Sequence, residues 1–395
     1  MKNLTKKHWL IIGGAVAVVL AALIIVLAVS CNGNNDNDND DNTGNDNTGD
    51  TNTGDNGNTN TEATYTLGMG IVVGIGHANN PADVQVDSTV AAVVLDANGV
   101  IVACRIDALQ NIGTVSEGVI TSTNTTSKAD KGDAYGMANA IYYGGMDPNN
   151  DGVVKEWYEQ AKAFEDYVTG KTVAQVEAMT TETNSIGYQW STDATLLAAG
   201  CTIQIGEFRD AVVAACKDEQ AATFTTSETF TVGVAAKGSL DTHDQQFKNA
   251  TADADGVATL FSEYAATVLV NGVIVATLND AVQPRLTFDM NGVEGTLSYT
   301  NTKRGLKADY GMANAIYYGG MDPNNDGVVK EWFEQSLAFS NYVTGKTVAQ
   351  VEAMTTETNS IGYQWSTDAT LLAAGCTIQI STIRDVVAAS GKNAR

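Results

Sequence analysis

Three histidines, His8, His77 and His243, serve the whole 395-residue chain, so hydrolysis by a Ser-His-Asp arrangement and histidine-rich metal centres lack their usual groups. Carboxylates and amides are plentiful instead. Asp147-Pro-Asn149-Asn-Asp151-Gly152-Val-Val154, repeated as Asp322-Pro-Asn324-Asn-Asp326-Gly327-Val-Val329, has oxygen ligands at loop positions 1, 3 and 5, Gly at 6 and an apolar residue at 8. These are features of a calcium loop, and they make Asp147, Asn149, Asp151, Asp322, Asn324 and Asp326 the candidate metal ligands. Position 12, where a bidentate carboxylate belongs, is Tyr158 or Phe333. Only Glu156 or Glu159, and Glu331 or Glu334, could stand in. The same residues also read as an Asp/Asn/Gly turn capping a helix that begins near Lys155.

Two further patterns carry less chemistry. Gly68-Met-Gly-Ile-Val-Val-Gly74 misses a dinucleotide fingerprint by one residue and has no helix after it, so it reads as glycines in a strand. Cys104 and Cys216 have Thr277 and Gly391 as their counterparts, so no disulfide belongs to the repeated design. Cys201 and Cys376 read as small buried residues, and neither has a histidine nearby in sequence to activate a thiolate. A single disulfide within the first half stays open.

The elements that must position these residues come in duplicate. Ala134 to Ile205 laid over Asp309 to Ile380 matches at 66 of 72 positions, and Asn98-Gly-Val-Ile-Val-Ala103 matches Asn271-Gly-Val-Ile-Val-Ala276. Two modules follow, 63–220 and 221–395. Strands are expected over Thr64–Ile75, Thr89–Asp96 and Val100–Leu109, with Asn98-Gly99 as a hairpin turn; in the second half they fall over Ala265–Val270 and Val273–Leu278, and as a pair within Arg285–Tyr299. Helices are expected over Lys155–Val168 and Thr172–Met179, then a strand over Thr202–Ile205 and a last helix over Glu207–Cys216. The second copy adds Lys330–Val343, Thr347–Met354, Thr377–Ile380 and Thr382–Ala389. Strands first and helices after them indicate an α+β fold, each module an antiparallel sheet with packed helices.

Five of the six differences within the long repeat are Tyr158/Phe333, Ala161/Ser336, Lys162/Leu337, Glu165/Ser340 and Asp166/Asn341, at helical spacing. They are expected to trace a free helix face, with Trp157, Gln160, Phe164, Tyr167 and Val168 toward the core. Leu337 suggests that this face of the second module touches the first module or a partner.

Ala199-Gly200-Cys201-Thr202, repeated as Ala374-Gly375-Cys376-Thr377, resembles the Ser-Gly-Ala-Thr motif of extracytoplasmic FMN-binding domains. Such domains occur in membrane-anchored lipoproteins and in flavin subunits of membrane electron-transport complexes. The order of Tyr135-Gly-Met137, Glu156-Trp157, Glu159-Gln160, Tyr167-Val-Thr-Gly-Lys171, the Thr motif and a helix is also similar. The resemblance implies an FMN phosphoester on Thr202 and Thr377, with Gly200 and Gly375 letting phosphate approach the backbone. Tyr188 and Trp190, with their copies, could stack on the flavin ring or belong to the core. Ala here replaces Ser, Cys replaces Ala, and Asp193 lies nine residues before Thr202.

Lys2, Lys6 and Lys7 precede an uncharged stretch from Trp9 to Val29, long enough to cross a bilayer with the basic flank inside. Leu27-Ala28-Val29-Ser30-Cys31 resembles a lipobox, which would place a lipid on Cys31; an uncleaved membrane anchor is the other reading. Residues 32–62 are almost wholly Asn, Asp, Thr and Gly and read as a disordered tether. The net charge of −24 excludes nucleic acid as an electrostatic partner. The expected protein is a lipid-anchored lipoprotein on the extracytoplasmic side of the cell membrane. It would carry flavin in extracellular electron transfer to a surface redox partner; the alternative is a non-catalytic, calcium-stabilised binding or adhesion protein.

Overall fold

A computed structural model describes residues 62–76, 80–137, 155–183, 187–244, 246–312, 330–358 and 362–395. Strands β1 (Ala63–Ile75), β2 (Asp83–Leu95), β3 (Ile101–Ser116) and β4 (Val119–Asn124) form an antiparallel meander. Asn98-Gly99 makes the β2–β3 turn, with Gly99 at φ +74°. The chain then builds helices α1 (Lys128–Lys131), α2 (Trp157–Val168) and α3 (Val173–Glu177), the short hairpin β5 (Thr181–Thr183) and β6 (Gln189–Ser191), and helices α4 (Ala194–Ala198) and α5 (Gly206–Cys216). After α5 it returns to the sheet: β7 (Ala222–Thr226) pairs with β1. Residues just beyond 220 thus complete the first sheet.

The second half repeats this plan. Strands β8 (Phe230–Leu240) and β9 (Gly256–Val270) are followed by β10 (Val273–Val282) and β11 (Arg285–Phe288), which both pair with β9 and are separated at Pro284, and then by β12 (Glu294–Ser298). Proline has no N–H to give to the ladder, so the strand that runs unbroken as β3 in the first sheet is divided here. Helices α6 (Lys303–Leu306), α7 (Trp332–Val343) and α8 (Val348–Glu352), hairpin β13 (Thr356–Thr358) and β14 (Gln364–Ser366), and helices α9 (Ala369–Ala373) and α10 (Ser381–Lys392) complete it. Arg395 returns to the sheet edge as β7 does, its N–H and C=O bonding Val232.

Strand alternation places these elements in four layers, α/β/β/α. Val90, Ala92 and Val94 of β2 pack with Tyr264, Ala266 and Val268 of β9 between the sheets. Ala91 and Val93 face the other way, onto Trp157, Phe164, Phe208 and Val212 of α2 and α5. Ala265 correspondingly faces Phe339, Val386 and Val387 of α7 and α10.

Gly68 and Gly70 earn their place through this layering. A Cβ on Gly68 would lie 2.0 Å from Ala215 O, and one on Gly70 2.1 Å from Ala211 O, so α5 rests on the bare backbone of β1. Gly233 plays the same part under α10, where a Cβ would meet Ser390 O at 1.8 Å.

Three expectations are corrected. Thr202–Ile205 and Thr377–Ile380 are not strands: among their described pairings each has one bridge, Trp190 with Gln204 and Trp365 with Gln379. The reason is that the N–H groups of Thr202 and Ile203 donate to a side chain instead of a ladder. Second, the variable helix stripe is not free, since Ala161, Glu165, Ser336 and Ser340 are buried against the sheets. Third, of the two contacts expected for Leu337, the one with the first half is not made, since the side chain is 54 % exposed. The expected anchor and lipidation site at Cys31, the tether, and the calcium-loop ligands Asp147, Asn149, Asp151, Asp322, Asn324 and Asp326 lie outside the described residues. Among the described residues no helix is long and apolar enough to cross a membrane.

Candidate functional site

Helix α2 begins at a capping box in which Glu156 and Glu159 satisfy each other's backbone N–H groups. One turn in, Gln160 is fully buried. Its Oε1 accepts the N–H of Thr202 at 2.9 Å, the hydroxyl of Thr202 at 3.2 Å and the N–H of Ile203 at 3.1 Å. Its Nε2 donates to Lys155 O at 2.8 Å and approaches Met137 Sδ at 3.5 Å. The second copy reproduces the clamp, Gln335 Oε1 taking Thr377 N–H at 2.8 Å and Ile378 N–H at 3.1 Å. Sequence reasoning placed Gln160 on the core face but missed this role; the signal was a polar residue in a stripe of Trp, Phe and Val.

Lys155 holds the segment from its other side. Its Nζ donates to Ala199 O at 2.8 Å, and its methylenes cross Gly200, where a Cβ would lie 2.7 Å from Lys155 Cε. Gly200 is also left-handed, at φ +88°. Lys330 does the same over Gly375, with φ +85°. Asp193 caps α4 through the N–H groups of Thr195 and Leu196 and accepts the Tyr167 hydroxyl at 2.7 Å. That hydroxyl holds the Asp193 carboxyl below its ordinary range, while burial pushes the Tyr167 phenol up to about 12. Cys201 and Cys376 are buried, and burial pushes each thiol up to about 12, so neither is a thiolate near neutrality. Cys104, Cys201, Cys216 and Cys376 are all free.

The structure therefore brings together Gly200, Thr202 and Asp193 with Gln160, Lys155 and Tyr167, and their copies likewise. Trp190 stands opposite Glu182 in the β5–β6 hairpin and opposite Gln204 on its other side. Trp190 and Tyr188, 6.5 Å apart, lie outside the core clusters, as do Trp365 and Tyr363, 6.3 Å apart.

The residues present fit a covalent flavin poorly. Thr202 is 7 % exposed. A phosphoester there would take its hydroxyl from Gln160, and the N–H groups of Thr202 and Ile203 that could meet a phosphate already donate to that amide. The N-terminus of α5 adds Glu207, an acid, in its first turn. Among the described residues no group of three or more His, Cys, Asp or Glu side chains could hold a metal ion. No family model, curated protein or solved structure matches this chain.

Proposed function

We propose that the chain is a membrane-tethered, extracytoplasmic binding protein of two homologous α+β modules. They are laid out like FMN-binding-type domains but perform no turnover chemistry. The observation that carries this reading is the closed clamp on the threonine segment, present in both halves: the buried amide of Gln160 or Gln335 holds the backbone and hydroxyl that flavin attachment would use. Arrangement supports it too. The two threonine segments belong to opposite outer layers, with two sheets about 10 Å apart between them. Sites facing away from each other suit bivalent attachment better than electron passage between cofactors. The basic flank, apolar stretch and lipobox-like Cys31 support export and tethering.

Intact mass of the full-length protein, produced in a bacterial host that has a flavin transferase, tests the reading. A lipid increment at Cys31 with no FMN increment is expected. FMN on Thr202 or Thr377 overturns it in favour of a flavin carrier.

A further inference from the structure

We propose that each outer face carries a site for neutral polysaccharide, centred on Trp190 in one half and Trp365 in the other; this rests on the binding function proposed above. Residues opposite one another on paired strands share a face. Glu182, Trp190 and Gln204 therefore form one row of carboxylate, indole and amide, and Glu357, Trp365 and Gln379 form its copy. Ser191 and Ser366, one residue on, are buried, so alternation directs the indoles to the other face of the hairpin, where each is half-buried and keeps part of its ring open to solvent. Their absence from the core clusters agrees with that direction.

The row has the chemistry of sugar recognition. An indole offers a flat apolar surface to the C–H face of a pyranose ring. A carboxylate accepts hydroxyl groups and an amide both donates and accepts. Glu182 and Glu357 have no ion-pair partner among the described residues, so their oxygens need no displacement of a lysine or arginine. In the first half Arg209 is turned to the opposite face of the hairpin, where it donates to Gln189 at 3.0 Å, and in the second half Arg384 donates to Met354 O at 3.2 Å. A row that carries an acid, on a chain of net charge −24, repels sulfated and uronate polymers but not neutral ones. Two rows on opposite layers would hold a long polymer, or two polymers, with avidity.

The test uses the full-length protein in detergent, run on native gels containing laminarin, soluble cellulose, starch or mannan, with alginate as the anionic control. Tryptophan fluorescence is followed in solution. At least one neutral glycan is expected to retard the protein and alter its emission, and alginate to do neither. Trp190→Ala with Trp365→Ala should lower apparent affinity roughly tenfold or more. Either substitution alone should keep single-site binding and lose avidity. Glu182→Gln with Glu357→Gln, which leaves the packing intact, should weaken binding in the same direction and guards against a misfolded tryptophan variant. No binding to any of the four neutral glycans, equal binding to alginate, or binding that survives both double substitutions overturns the proposal. FMN found in the mass measurement defeats the underlying function, whereas no FMN and no glycan binding defeats this inference alone.

Discussion

The buried amide of Gln160 accepts both the N–H and the hydroxyl of Thr202, at 2.9 and 3.2 Å, across a separation of 42 positions in the chain. Through Nε2 the same side chain reaches Lys155 O and Met137 Sδ. Residues on three separate stretches of chain therefore depend on one amide.

Gln160→Ala should be costly for that reason. It removes the acceptor of two buried N–H groups, and an orphaned buried donor costs roughly 1–3 kcal/mol. A loss of about 3 kcal/mol in urea unfolding is expected, with a similar loss for Gln335→Ala. A loss under ~0.5 kcal/mol for either would show that the clamp is incidental.

Glycine substitutions on β1 should separate sharply. Gly70→Ala forces a Cβ to within 2.1 Å of Ala211 O, whereas Gly74→Ala meets nothing within 4 Å. Overpacking of this kind costs about 1–3 kcal/mol or more. Gly74→Ala should be neutral or slightly stabilising, since it lowers the entropy of the unfolded chain. Thermal midpoints of the two variants measure the contrast, and equal midpoints would refute direct packing of α5 on β1.

Position 165 and its copy 340 should not be interchangeable. Glu165 Oε1 accepts Ile106 N–H at 2.9 Å, and its carboxylate pairs with Arg395 at 2.7 Å and Arg105 at 3.7 Å. In the second half Asn279 occupies the place of Ile106 and donates to Ser340 at 2.9 Å, while Leu278 replaces Arg105. Ser340→Glu buries a charge with no cation, and Glu165→Ser leaves buried groups unpaired. Each should cost about 3–5 kcal/mol, measurable by chemical denaturation; tolerance of either swap would show that the pairings do not matter.

Stability should fall as pH rises from about 4 to 8. Burial pushes Asp107 and Glu263 each up to about 7, far above their values in an unfolded chain. Below the unfolded values both states are protonated and no penalty exists. Between those values and 7 only the unfolded state ionises, so its advantage grows with pH and levels off above 7. Asp107→Asn should flatten this dependence while leaving the fold intact. Unfolding midpoints that rise monotonically from pH 5 to 8 in the parent protein would contradict the assignment.

The sequence by itself determined the strands around Asn98-Gly99 and Asn271-Gly272, the long helices and the duplication, because period, turn chemistry and identity are local properties of the chain. Helix α2 starts at Trp157, two residues later than expected, because Glu156 is its cap. The composition also spoke plainly about histidine scarcity and negative charge. What the chain could not disclose was how its two halves meet: alternating strands show two apolar faces but not which neighbour covers each. Only the tertiary structure decided that the sheets pack against each other and leave both helical layers outside. It also decided the fate of Thr202. A Gly-Cys-Thr segment before a helix reads as a place for phosphate until the partner of its N–H groups is known, and that partner, Gln160, lies 42 residues away. Likewise Trp190 reads from the chain as a core residue more readily than as a platform, and the structure leaves it half-buried outside the core clusters, with Ser191 in the inward position. Contacts distant in sequence leave no periodic trace, so the chain alone named the residues and the packing assigned their work.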